Sequence, residues 1–217
     1  MKDKNEAYRL FLKQIEEVKA LDYKPSLLLH VCCAPCSSYP LLKLMDLFNI
    51  TVDYYNPNIY PYEEFRKRAD EEKAFLKKIG QQDARINYIE DCYDNNEYNE
   101  AVKGLEHLGE MSQRCYHCYE LRMRHAAKKA QELHCEYFST VMSISPYKST
   151  AYIFDIGQAL EKEYGVKFLA SDFKKEEGYK KSIEYSQEYG LYRQDYCGCI
   201  YSKEEHEQKC AQKTAIK

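Results

Sequence analysis

Residues 27–38 read "LLLHVCCAPCSS". An apolar run of strand length, set behind Pro25, gives way to three cysteines within five positions. Leu27 to Val31 has the length and burial character of an interior strand. Working outward, "ITVDYY" (50–55), "ARINYI" (84–89), "EYFSTVM" (136–142) and "VKFLA" (166–170) are β-branched or aromatic runs of similar length. Helical patterns separate them: "YPLLKLMDLF" (39–48), "YEEFRKRADEEKAFLKKIG" (62–80, stopped by Gly80), Cys115 to about residue 133, and 149–165 ending at Gly165. A further amphipathic helix is expected over 4–20, and residues 91–111 read as polar and irregular. Strands alternating with helices predict an α/β fold, a parallel sheet of about five strands with helices on both faces. The expected core is 22–170. Residues 171–217 add a helical C-terminal part to the same single domain, with helices near 179–189 and after "YRQDYCGCIYS".

In parallel sheets ligands bind beyond the carboxyl ends of the strands. The Cys32–Cys36 loop sits there. Seven of the ten cysteines cluster, as Cys32-Cys33-x-x-Cys36, Cys115-x-x-Cys118 and Cys197-Gly-Cys199. Seven exceed the needs of one tetrahedral zinc. Four thiolates hold an iron–sulfur cube, and the remaining three can hold a second metal or cycle as a redox pair. Adjacent cysteines on a regular strand point to opposite faces, so Cys32 and Cys33 must lie in a turn, and Pro35 disfavours helix at Ala34. Cys115 and Cys118 at a helix start are expected to have lowered pKa values. Cys92, Cys135 and Cys210 stand alone and read as inert core.

The chain begins "MKDKNEAYRLFLKQ", without an apolar leader, and no run approaches a membrane span. The expected setting is a reducing cytoplasm with no membrane contact, where ten cysteines point to metal or redox chemistry rather than a disulfide framework. The net charge of −3 argues against global attraction to nucleic acid. Locally, Arg114, Arg122, Arg124, Lys128 and Lys129 face only Glu120 between Ser112 and Ala130. That is a candidate phosphate-facing patch or a solvated helix face. The 22 tyrosines fit base stacking or plain packing.

"LLLHVCCAPCSS", "NPNIYPYEEFRKR", "RCYHCYELRM", "VMSISPYKS" and "SQEYGLYRQDYCGCIYS", spread over about residues 27–202, together resemble the QueH family of epoxyqueuosine reductases. The resemblance implies reduction of epoxyqueuosine to queuosine at the wobble position of tRNA, the last step of queuosine biosynthesis. It implies a [4Fe-4S] cluster with a second, mononuclear iron beside it, no cobalamin, and an electron donor that it does not identify. It also implies a Rossmann-like sheet of the adenine-nucleotide hydrolase (HUP/PP-loop) type, with "CCAPCSS" where related tRNA enzymes carry a Gly/Ser pyrophosphate loop. On this reading Cys32, Cys33, Cys115 and Cys118 bind the cluster, and Cys36, Cys197 and Cys199 form the chemical half. The latter pair either ligates iron or closes a labile disulfide. Candidate proton sources are water, Tyr196, Asp195 and His30. Candidate tRNA contacts are Arg114, Arg122, Arg124 and Lys148, with Arg66, Lys67 and Arg68 behind them. Two alternatives are an iron–sulfur tRNA thiolase of the PP-loop type and a non-catalytic metal-binding or redox-sensing module.

Overall fold

The computed structural model describes residues 5–80 and 86–215. Among these, β1 (Ser26–His30), β2 (Asn49–Tyr54), β3 (Ile86–Glu90), β4 (Tyr137–Thr140) and β5 (Lys167–Phe168) form one sheet. Its order is β3-β2-β1-β4-β5, and every neighbouring pair is parallel. The helices are α1 (Glu6–Lys19), α2 (Ala34–Leu44), α3 (Tyr62–Gly80), α4 (Asn95–Ala101), α5 (Gln113–Glu132), α6 (Thr150–Tyr164), α7 (Gly178–Glu188) and α8 (Ile200–Ala215), with a 3-10 turn at Val141–Ile144.

Both faces of the sheet are covered, as the apolar strands require. Along β1, Leu27 and Leu29 join Leu41, Phe65 and Phe75 of α2 and α3, whereas Leu28 packs with Met123, Ala126 and Ile153 of α5 and α6. The period-two alternation of a strand thus serves two cores at once. β1 is central, and chain order reverses between β1 and β4. The loops leaving these two strands diverge and open a crevice at the switch point.

The expected elements are present, with five corrections, the first being that the 166–170 run is a strand only over Lys167–Phe168. α2 begins at Ala34 and ends at Leu44, earlier at both ends than the 39–48 segment. Pro35 does not keep Ala34 out of the helix, because it lies in the first turn, where its missing N–H has no intrahelical partner to lose. The irregular region contains α4, whose N-cap Asp94 accepts from the Asn96 N–H at 2.9 Å. The 136–142 run ends as a strand at Thr140 and tightens into the 3-10 turn. Ala84, Arg85 and Lys4 of the expected elements lie outside the described residues. No described helix is long and apolar enough to cross a membrane.

Candidate metal centre and substrate pocket

The first cysteine group is built by the β1–α2 connection. Cys33 is the extended N-cap of α2, and its carbonyl accepts from the Cys36 and Ser37 N–H groups at 3.0 and 3.1 Å. This turn brings the Cys32 and Cys33 sulfurs to 3.9 Å, and all three sulfurs of Cys32, Cys33 and Cys36 lie within 4.8 Å of one another. Hydrogen bonds from Cys33 and Cys36 hold the Cys32 thiol well below its ordinary range, against the effect of burial. Burial drives Cys33 well above it, and the bond with Cys32 pushes Cys36 up to about 12.

The second group joins α5 to the tail. Cys115 and Cys118 lie in the first turns of α5, and the charges of Cys197 and Cys199 are felt at Cys118. The expectation of depressed thiols here is overturned. Burial raises Cys115 and pushes Cys118 up to about 12, outweighing the helix dipole. Cys197 and Cys199 are free thiols just ahead of α8. Ser202 fixes their loop, accepting from Cys197 N–H at 3.0 Å and donating its own N–H to Cys199 Sγ at 3.4 Å. Gly198 has φ +134°, and its carbonyl accepts from the Tyr60 N–H at 2.8 Å. A Cβ there would meet Arg68 Nη1 at 3.1 Å, so only glycine joins these two cysteines without strain.

Two buried cations stand among the thiols. Lys148 would be depressed by burial alone, yet Cys197, Cys32 and Cys36 hold it well above its usual value. Arg122, 1% exposed, donates to Cys118 Sγ at 3.7 Å and Asn58 Oδ1 at 3.1 Å. Its Nε and Nη2 are buried without an acceptor among the described residues. An unsatisfied guanidinium facing sulfur on several sides suits an anionic, sulfide-bearing group, and the seven-thiol donor set suits iron.

These placements correct the expected tRNA patch. Arg114 is buried and donates to the Glu106 carbonyl at 2.9 Å and to Glu205 at 3.0 Å. Arg122 and Lys148 are interior. Arg124 is paired with Glu163 and Glu120, Lys129 with Asp91, and Lys128 lies 3.9 Å from Glu132. Arg68 is fully buried, gripping Glu64 and, at 3.1 Å, the Cys197 carbonyl. Arg66 pairs with Glu90 and Asp70, and the Lys67 ammonium sits 3.2 Å from the Tyr192 ring centre. Of the isolated cysteines, Cys135 is buried as expected, but Cys92 and Cys210 are exposed.

A pocket of about 290 Å³ opens on the thiols. Cys32, Cys36 and Cys197 line it with Lys148, Tyr196 and Asp195. Cys199 lies behind it, buried near Tyr98 of α4. His30 does not reach it. Its ring is fully buried between Thr140 Oγ1 and the Tyr55 carbonyl, and burial holds it neutral, down to about 3. Sequence reasoning did not single out Tyr147, Tyr179, Arg193 or Gln194, which also line the pocket. Gln194 donates to Cys33 Sγ at 2.9 Å. Tyr147, Arg193 and Gln194 lie inside motifs already noted, but their place on the pocket wall follows from a loop path that no local pattern encodes.

A family model described as epoxyqueuosine reductase QueH matches residues 27–205. Proteins of the same name are similar to this chain. One from Streptococcus pyogenes is 42% identical over 180 residues, covering 82% of this chain and 71% of that protein. One from Staphylococcus epidermidis is 38% identical over 182 residues, covering 82% and 76%. One from Thermotoga maritima is 36% identical over 190 residues, covering 86% and 95%.

Proposed function

The chain belongs to the epoxyqueuosine reductase QueH family, and on that premise we propose that it reduces epoxyqueuosine to queuosine at the wobble position of tRNA, in the cytoplasm. The observation that carries the reading is a pocket walled by three thiols and a buried ammonium at the sheet's switch point. The reaction consumes two electrons and two protons: both carbon–oxygen bonds of the epoxide break, an alkene forms, and water leaves.

Cys32, Cys33, Cys115 and Cys118 would hold a [4Fe-4S] cluster, and Cys36, Cys197 and Cys199 a second iron. When bound, these supply single electrons and Lewis acidity. The chain's own groups do the rest. Lys148, kept charged by Cys197, Cys32 and Cys36, offsets negative charge where the oxygen departs. Tyr196 lines the pocket; its hydroxyl donates to the Tyr60 carbonyl at 2.7 Å, and burial pushes it up to about 12. It and Asp195 are the candidate proton donors, and the enclosure of His30 removes that residue. Arg68 and Ser202 orient the Cys197–Cys199 loop from α3 and α8, so the C-terminal part completes the site within one unit. The Gly/Ser loop a PP-loop thiolase needs is absent from the β1–α2 turn, where Cys32, Cys33 and Cys36 stand.

The test is anaerobic incubation of iron-loaded protein with epoxyqueuosine-containing tRNA and a reductant, followed by nucleoside analysis. Queuosine should replace epoxyqueuosine. An unchanged epoxide with fully loaded protein overturns the reading.

A further inference from the structure

Beside the cysteines, a second group of ligand atoms converges at the carboxyl end of the sheet. Asp53 comes from β2, Asp91 from the residue after β3, and His125 from α5. Their ligand atoms all lie within 4.8 Å of one another. His125 Nε2 is 2.9 Å from Asp91 Oδ2 and 3.9 Å from Asp53 Oδ1. The Tyr55 ring lies flat on the imidazole, 3.7 Å between centres and 10° between planes, and fixes its orientation.

Asp53 is the informative member. It is fully buried, and neither carboxylate oxygen has a hydrogen-bond partner among the described residues. A buried carboxyl left unpaired in either protonation state costs on the order of 1–3 kcal/mol. Lys129, whose charge is felt at Asp53, is paired with Asp91, at 3.2 Å from Oδ1. Two carboxylates and an imidazole against one lysine leave net negative charge around an oxygen pair that no protein donor satisfies. Bond lengths of about 2.0–2.2 Å set neighbouring ligand atoms of one ion about 3–3.5 Å apart, close to the separations present.

We propose that Asp53, Asp91 and His125 form a binding site for a divalent first-row transition ion, built from residues other than the cysteines. One imidazole and two carboxylates suit Mn(II), Fe(II) or Zn(II), with water completing the shell. Asp91 and His125 are partly exposed, which gives an ion access while Asp53 closes the floor. Binding displaces the proton that His125 and Asp91 share, and Lys129 then holds Asp91 from outside, as outer-shell partners commonly do. The ion clips β2, the end of β3 and α5 together, and α5 is the helix that begins with Cys115 and Cys118.

Mn(II) is the probe, because thiolates bind it poorly whereas carboxylates and imidazole accept it. Full-length protein with its iron–sulfur content reconstituted is passed over a chelating resin and titrated with Mn(II), following the EPR signal of the free ion. Wild type should take up one ion per chain and melt higher in its presence. Asp53→Asn and His125→Ala should bind at least about 100-fold more weakly while retaining iron and sulfide. If Asp53→Asn fails to fold, Asp91→Asn, at a partly exposed residue, gives the same comparison. Mn(II) left free by wild type, or bound equally by wild type and the folded variants, overturns the site and leaves Asp53 as a buried protonated acid only. Either outcome is independent of whether the enzyme reduces epoxyqueuosine.

Discussion

Gly198 and Gln194 show how single residues set the site. At φ +134°, Gly198 has a backbone that other residues adopt only with strain, and a Cβ would press on Arg68 Nη1 and on Ile59 Cγ1 at 3.2 Å. Gly198→Ala should cost about 1–3 kcal/mol. It should also free the Cys197 carbonyl from Arg68. A melting curve should fall by several degrees and turnover should fall with it, and unchanged values for both would show that the loop tolerates the side chain. Gln194 acts through one hydrogen bond, its amide donating to Cys33 Sγ at 2.9 Å. With Cys33 as a ligand of the proposed cluster, a donor to its sulfur favours the more negative, reduced state. Gln194→Leu should therefore lower the midpoint potential, read by EPR-monitored titration, at unchanged iron and sulfide content. A midpoint that stays put sinks the assignment.

At the scale of elements, α5 decides how the sequence should be read. Arg114, Cys118 and Arg122 recur every four residues, and they share a helix face with Tyr119, Met123 and Ala126, all buried. Counting charges suggested a phosphate surface, but the spacing already tied the arginines to a cysteine. Arg122→Gln should release iron and sulfide while leaving the salt dependence of tRNA binding unchanged. A salt slope smaller by about one unit would restore the phosphate reading. α3 makes a pH-dependent contact with α2. Ser37 Oγ donates to Glu72, 2.7 and 2.8 Å from its two oxygens, but burial still pushes the acid up to about 8 from 4.5. A folded value above the unfolded one means a stabilising contribution that is complete below about 4.5 and fades as pH rises towards 8. Between pH 5 and 8, wild type should lose up to about 1.4 kcal/mol per pH unit relative to Glu72→Gln, measured by denaturant unfolding; parallel profiles would contradict this. The main strands and long helices were legible because their apolar periodicity survives in any context. α4 was not, since "NNEYNEA" has no apolar stripe and only Asp94 marks its start. Yet α4 carries Tyr98 to Cys199. Likewise the cysteine clusters could be counted from sequence, but their grouping depends on how the tail returns over α3, a long-range path with no local signature.

For the whole molecule, a net charge of −3 means that a polyanionic substrate must be held by local features. Arg114 and Arg122 of α5 are withdrawn into the core and Arg124 is ion-paired with Glu120 and Glu163, so the pocket rim is left to do this. Tyr147, 66% exposed, stands on the loop after the 3-10 turn, and Lys209 stands on exposed α8, with the thiol-lined pocket between them. The pocket is large enough for part of a nucleotide but not for a stacked anticodon loop, so a wobble base must leave its neighbours to enter. An exposed aromatic ring at the mouth can replace the lost stacking, worth about 1–3 kcal/mol per base. Tyr147→Ala should then raise KM for tRNA about 5- to 150-fold with little change in kcat or iron content, whereas Tyr147→Phe should retain wild-type KM because the ring, not the hydroxyl, does the work. Lys209→Ala should weaken binding more modestly and flatten its salt dependence by about one unit. Steady-state kinetics over a salt series separates the two. If Tyr147→Ala binds and turns over like wild type, the exposed ring has no part in capturing the base, and the unstacked nucleotide must be held by the interior wall formed by Tyr179, Arg193 and Tyr196.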